Sequence, residues 1–232
     1  SSIQYEISFP NYRHHEAQVQ LVVSKLSAAP ATFRMSRSSA GRYATHEFGK
    51  NVYDVKAFDG QDKPLVVERV AGDIYKVAHH PSTVKITYTL YGDYADGTYD
   101  DIDSSEAHLN MPATFIWIEG HDADPLTIKF DMPQRLHWKV ATQLKPLSEE
   151  NTFYARNFQY LMDSPTELSD YHLRTWMVKN TDGKQEELRL VMHAKASDSL
   201  MDAYTAMIKK TVKEEEAVFG ELPDYDYGNY TF

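Results

Sequence analysis

The sequence predicts a mainly β fold, with an antiparallel β-sandwich or saddle-like sheet assembly over residues 1–166 and an incomplete α/β unit over 167–232. Two observations predict it. Nine short runs rich in Tyr, Val, Ile, Thr and Phe fill the first part, separated by turn residues. The only long helical pattern comes late, after a break at Pro165 in "FQYLMDSPTELSDYHLRTW".

The expected strands, in order, are "YEISF" (5–9), "AQVQLVV" (17–23), "NVYDVKAF" (51–58), "PLVVERV" (64–70), "DIYKVA" (73–78), "TVKITYTLY" (83–91), "TFIWI" (114–118), "LTIKFDM" (126–132) and "WKVAT" (138–142). The sixth run alternates strictly: Val84, Ile86, Tyr88 and Leu90 against Lys85, Thr87 and Thr89, which implies one buried and one wetter face. Turns are expected at "FDGQDKP" (58–64), "AGD" (71–73) and "HHPS" (79–82).

Beyond Pro165, "YHLRTWMV" (171–178) and "EELRLVMHA" (186–194) read as a strand pair joined by "NTDGK" (180–184). A helix over about 199–219 follows. Ser197 and Ser199 offer caps, Asp198 and Asp202 suit the positive helix start, and Gly220 and Pro223 mark the stop. Tyr204, Ile208 and Val212, with Leu200 and Phe219, form the expected apolar stripe; Lys209, Lys210, Lys213 and Glu214 to Glu216 form the wet face. "LPDYDYGNYTF" (222–232) reads as a last strand. Two or three strands and one helix bury too little to stand alone, so the chain is expected to stop inside a second domain.

Composition narrows the function classes. The 232 residues carry 24 basic and 34 acidic side chains, a net charge of −10, which repels phosphate backbones and argues against nucleic acid as a partner. No apolar run approaches the ~20 residues of a membrane span. The absence of cysteine excludes disulfides, thiolate ligands and a cysteine nucleophile.

Ten histidines invite a search for HExxH, the helical spacing that lets two imidazoles hold zinc beside a glutamate. It is absent: neither His15-Glu16 nor His46-Glu47 is followed by the second histidine, and the pairs His14-His15 and His79-His80 read as loop residues. The loop Asp93 to Glu106 carries six carboxylates. It suits either a solvated acidic loop or a calcium site, but its spacing is not that of an EF-hand. Nucleotide-binding and serine-hydrolase motifs are also absent.

Longer strings are more specific. "FRMSRSSAGRYATHEFGKNVYDVKAFDG", "YADGTY", "AHLNMPATFIW", "WKVATQL" and "FQYLMDSPTELSDYHLR" together resemble the amino-terminal region of the glycyl aminopeptidase family, PDZ-bearing zinc metallopeptidases related to aminopeptidase N. The resemblance implies that residues 1–166 are the N-terminal β domain and that 167–232 open a thermolysin-like catalytic domain. The zinc motif, its downstream glutamate and a PDZ domain would then lie beyond Phe232, leaving this stretch inactive alone and shaping the substrate cleft. The implied reaction is release of N-terminal glycine or alanine from peptides by a zinc-polarised water. A periplasmic or other extracytoplasmic location is expected.

An aminopeptidase needs carboxylates to hold the free ammonium of its substrate. By position in the resemblance, Glu167 is the first candidate and Asp163 the second. Turn chemistry around Asp163, Ser164 and Thr166 explains those residues equally well but leaves Glu167 unexplained. Asn110 and Met111 are further candidates for lining the cleft, against a reading of Met111, Phe115 and Trp117 as strand core. Arg34, Arg37 and Arg42 either pair across the domain interface or are solvated. A rival reading is a freestanding β-sandwich module that binds peptide or carbohydrate through some of its 16 Tyr and 3 Trp.

Overall fold

The computed structural model describes residues 2–193 and 195–232; Ala194, at the end of the expected 186–194 strand, and Ser1 lie outside them. The fold is mainly β. Its largest sheet has eight strands in the order Lys145–Pro146, Thr152–Ala155, Leu126–Asp131, Ser2–Ser8, Glu16–Ser24, Val84–Tyr91, Val52–Phe58 and Pro64–Leu65. Neighbours are antiparallel except Ser2–Ser8 with Leu126–Asp131, which run parallel. One face of this sheet is the core. Ile3, Tyr5 and Ile7 line up with Val19, Leu21 and Val23 and with Val84, Ile86, Tyr88 and Leu90, all buried, as period-two alternation requires.

Two four-stranded sheets complete the β unit. One runs Trp117–Ile118, Ala31–Arg34, Ile74–Val77 and Glu68–Ala71; the other runs Lys139–Ala141, Thr166–Ser169, Glu106–Leu109 and Asp101–Ile102. The strand Thr166–Ser169, which straddles the expected 166/167 boundary, is thus hydrogen-bonded within this first unit.

"TFIWI" is not a single strand. Met111–Thr114 forms a short helix, α1, with Pro112 in its first turn, where a missing N–H costs nothing. Phe115 and Ile116 are both buried, so they do not alternate, and only Trp117–Ile118 pairs. Tyr88 fixes this segment from below: its hydroxyl donates to Thr114 O at 2.7 Å and accepts from Ile116 N at 3.0 Å.

Phe158–Met162 forms a second short helix, α2, capped by the Asn157 side chain. The last unit is a three-stranded sheet of His172–Lys179, Gln185–Met192 and Asn229–Thr231, with the long helix α3, Asp198–Phe219, beside it. Ser197 Oγ accepts from Leu200 N at the α3 start, and Gly220 takes the left-handed conformation at its end. The inward face matches the expected one only in part. Met201 is buried and Thr205, Ile208 and Val212 are half-buried, whereas Leu200, Tyr204 and Phe219 are exposed. Arg174 pairs with Asp198 at 2.7 Å and Asp202 at 3.2 Å, four residues apart near the helix start. No helix among the described residues is long and apolar enough to cross a membrane.

Candidate functional site

In the sheet containing Glu106–Leu109 and Thr166–Ser169, Ala107, Leu109, Thr166 and Leu168 are buried, which turns Glu106, His108 and Glu167 to the opposite face. The antiparallel register places His108 directly opposite Glu167 and Glu106 opposite Ser169. His108 Nδ1 lies 3.4 Å from Glu167 Oε2. The segment after Gln185–Met192 brings in His193, whose Nδ1 hydrogen-bonds Glu106 Oε2 and lies 3.7 Å from Glu167 Oε1.

These side chains line a cavity of about 480 Å³ between the β unit and the last unit, together with Asp163, Gln143 and Tyr230. Its wall is anionic. Burial raises the Glu106 carboxyl above its ordinary value, and the charge of Glu167 adds to the rise. The hydrogen bond to Glu167 raises the His108 imidazole despite its partial burial. Glu167 Oε1 and Ser169 Oγ are buried and have no hydrogen-bond partner among the described residues. Such atoms are uncommon in folded proteins, and both sit on this face.

The expected site residues divide. Glu167 and Asp163 line the same cavity. Asp163 also closes α2, accepts from Gln159 Nε2 at 3.1 and 3.2 Å, and is exposed; its backbone carbonyl accepts from Gln143 at 2.7 Å. Asn110 and Met111 stand apart. The Asn110 side chain donates to Thr98 O at 2.5 Å and Ser39 Oγ at 3.1 Å, its N–H donates to buried Asp100, and Met111 is fully buried, so neither reaches the cavity. Arg34 pairs with Glu119, Arg37 with Asp73, and Arg42 donates to Asp96 O, all inside the β unit.

The acidic loop is dispersed. Asp96 and Asp103 accept backbone N–H groups in tight turns, Asp100 is buried against Thr114, and Asp93 lies 3.7 Å from His15. Glu106 alone of the six joins Glu167 and His193. A second cavity of about 620 Å³ shares Gln143, Asp163, Tyr230 and Phe232 with the first and continues along Tyr160, Tyr225 and Tyr227. Sequence reasoning placed Glu106 only in the acidic loop weighed for calcium and missed His108 and His193 as members of a site. The alternation in "EAHL" signals that Glu106 and His108 share a face, but nothing local signals that Thr166–Ser169 lies beside it.

The family model described as Peptidase M61 N-terminal domain matches residues 4–170. An aminopeptidase N family protein from Idiomarina loihiensis superposes with a TM-score of 0.83 at 22% identity, covering 99% of this chain and 38% of that one. Aminopeptidase A of Legionella pneumophila, solved with aspartic acid, gives 0.56 at 10% identity over 99% of this chain and 28% of its own. A two-domain M1 zinc metallopeptidase mutant bound to L-arginine gives 0.51 at 12% identity over 100% of this chain and 55% of its own. These likenesses show the fold. The chain spans well under two thirds of each of the three structures. No curated protein sequence matches it.

Proposed function

Since the chain belongs to the peptidase M61 family, whose N-terminal domain it carries over residues 4–170, we propose that it is the N-terminal part of a zinc aminopeptidase that releases N-terminal glycine or alanine. In this reading the β unit and the strands and helix after it, the start of a thermolysin-like catalytic domain, together form one wall of the substrate cleft. The carrying observation is that Glu106, Asp163 and Glu167 converge on one cavity at the junction of the two units.

The residues present do not fit the catalytic metal, because the chain contains no HExxH. Zinc held by a further domain would supply the Lewis acid. The present residues bind and orient. Glu167 takes the α-ammonium: its Oε1 is buried, lies 3.7 Å from His193 Nδ1 and accepts no hydrogen bond among the described residues, so a cationic N–H donor gives it one. Glu106 adds negative charge beside it, and Asp163 stands as the second contact. Holding the ammonium fixes how far the first peptide bond lies from the reacting centre, which converts binding into orientation. The continuous cavity lined by Tyr160, Tyr225, Tyr227 and Tyr230 accommodates the peptide beyond its first residue.

The test is Glu167→Gln in the full-length peptidase with glycyl and alanyl substrates. Losing one charge-assisted contact of ~1.5–3 kcal/mol raises KM about tenfold or more. An unchanged KM and kcat would overturn the assignment of Glu167.

A further inference from the structure

We infer that Glu106, Glu167 and His193 form a binding site for one zinc-class divalent metal ion that ties the β unit to the unit after it. One potential ligand atom from each of the three residues falls within 4.8 Å of the others. Two ligands at zinc distances of ~2.1 Å with a tetrahedral angle sit roughly 3.4 Å apart. His193 Nδ1 and Glu167 Oε1 are already at 3.7 Å, and His193 Nδ1 hydrogen-bonds Glu106 Oε2, a contact the ion would replace by pushing the two atoms apart. Small side-chain rotations therefore complete the set.

A second observation points the same way. Glu167 Oε1, 3.7 Å from His193 Nδ1, is buried with no hydrogen-bond partner among the described residues, and Ser169 Oγ, fully buried opposite Glu106, has none among them either. Unsatisfied oxygens beside a carboxylate pair are what a metal ligand and the hydroxyl that orients it look like before the ion arrives. The ligand types choose the ion. Calcium takes oxygen ligands almost exclusively, whereas an imidazole with two carboxylates suits zinc, cobalt or nickel. The open side of the cavity leaves room for a water as the remaining ligand.

The ligands come from two adjacent strands of one sheet and from the segment after a strand of another, so binding holds the two units at a fixed distance. The site does not depend on the peptidase reading; because it claims the same Glu167 Oε1, the metal ion and a substrate ammonium would compete for that oxygen.

The probe is Zn²⁺ itself, titrated calorimetrically into the 232-residue chain, with Co²⁺ absorption reporting the ligand field. One ion per chain with a dissociation constant in the micromolar range is expected. Glu167→Gln and His193→Ala are each expected to weaken it at least tenfold, while His79→Ala, in a loop far along the chain, leaves it unchanged. No uptake at millimolar Zn²⁺, or uptake undiminished in both ligand variants, would overturn the proposal. If a variant fails to fold, anomalous scattering from crystals of the unmutated chain soaked in Co²⁺ decides: a peak among Glu106, Glu167 and His193 supports the site, and a peak only elsewhere removes it. Metal binding together with normal full-length kinetics for Glu167→Gln would overturn the ammonium assignment and leave this one standing.

Discussion

His108 and Glu167 face each other across neighbouring antiparallel strands, with Nδ1 3.4 Å from Oε2, and this pair makes one part of the fold sensitive to pH. The hydrogen bond to Glu167 raises the folded-state pKa of His108 above its ordinary value. A raised imidazole contributes stability that is fully present below its unfolded value of ~6.5 and is lost as pH rises through the folded value. The urea midpoint of the unmodified chain should therefore exceed that of His108→Asn at about pH 6, and the gap should narrow at about pH 8.5. A gap that is the same at both would mean the imidazole is not charged by Glu167. The pair is partly exposed, so the effect is modest.

Asp100 behaves in the opposite sense to the usual paired carboxylate. It is buried, its oxygens accept from Thr114 Oγ1 at 2.9 Å and Asn110 N at 2.8 Å, and the charge of His108 offsets its burial only in part. Burial pushes its pKa up to about 7 from 3.8. An acid with a raised folded value costs nothing below the unfolded value and destabilises progressively as pH climbs from there toward the folded one. The full cost is roughly 4 kcal/mol as an upper figure. Asp100→Asn keeps the acceptor for Asn110 N and cannot ionise. Its stability relative to the unmodified chain should rise between about pH 4 and pH 8; a flat difference would mean that Asp100 is already ionised cheaply.

Much of this fold was legible because its strands carry their own signal. Val84 to Leu90 alternate in sequence and, up to a buried Thr89, in burial, and the Ser197 cap and Gly220 stop bound α3 to within a residue. What was hidden depends on partners. Thr166–Ser169 reads as the tail of a turn because its neighbours, Glu106–Leu109 and Lys139–Ala141, lie tens of residues away. The apolar stripe of α3 was right at Ile208 and Val212 but missed Met201 and Thr205 in the first turns, where Leu200 and Tyr204 point outward. The site shares this limit. Glu167 and Asp163 stand out beside Pro165, but Glu106, His108 and His193 enter only through pairing across sheets.

The two carboxylates offered for the substrate ammonium should not count equally. Asp163 is exposed and already accepts from Gln159, whereas Glu167 keeps a buried oxygen that accepts no hydrogen bond among the described residues. An exposed, hydrogen-bonded carboxylate adds little to a new ion pair, because water and its existing donor compete. In the full-length peptidase, Asp163→Asn should raise KM for glycyl substrates by less than about threefold, against about tenfold for Glu167→Gln. The reverse order would move the ammonium to Asp163 and toward the tyrosine-lined cavity.

Tyr88 supports the segment that joins Asn110 to the strand Trp117–Ile118. Its buried hydroxyl satisfies two backbone groups at once, the carbonyl of Thr114 and the N–H of Ile116, which no sheet partner reaches. Tyr88→Phe keeps the ring packing and orphans both groups, each at ~1–3 kcal/mol, so unfolding should become easier by roughly 2–4 kcal/mol. Tyr5 offers the comparison, since its hydroxyl donates only to Ile116 O at 2.7 Å. Tyr5→Phe orphans one carbonyl and should cost less. Urea unfolding of the two variants measures both. Equal losses would show that the Ile116 N–H finds another partner, and that packing around Phe115 rather than Tyr88 holds the turn in place.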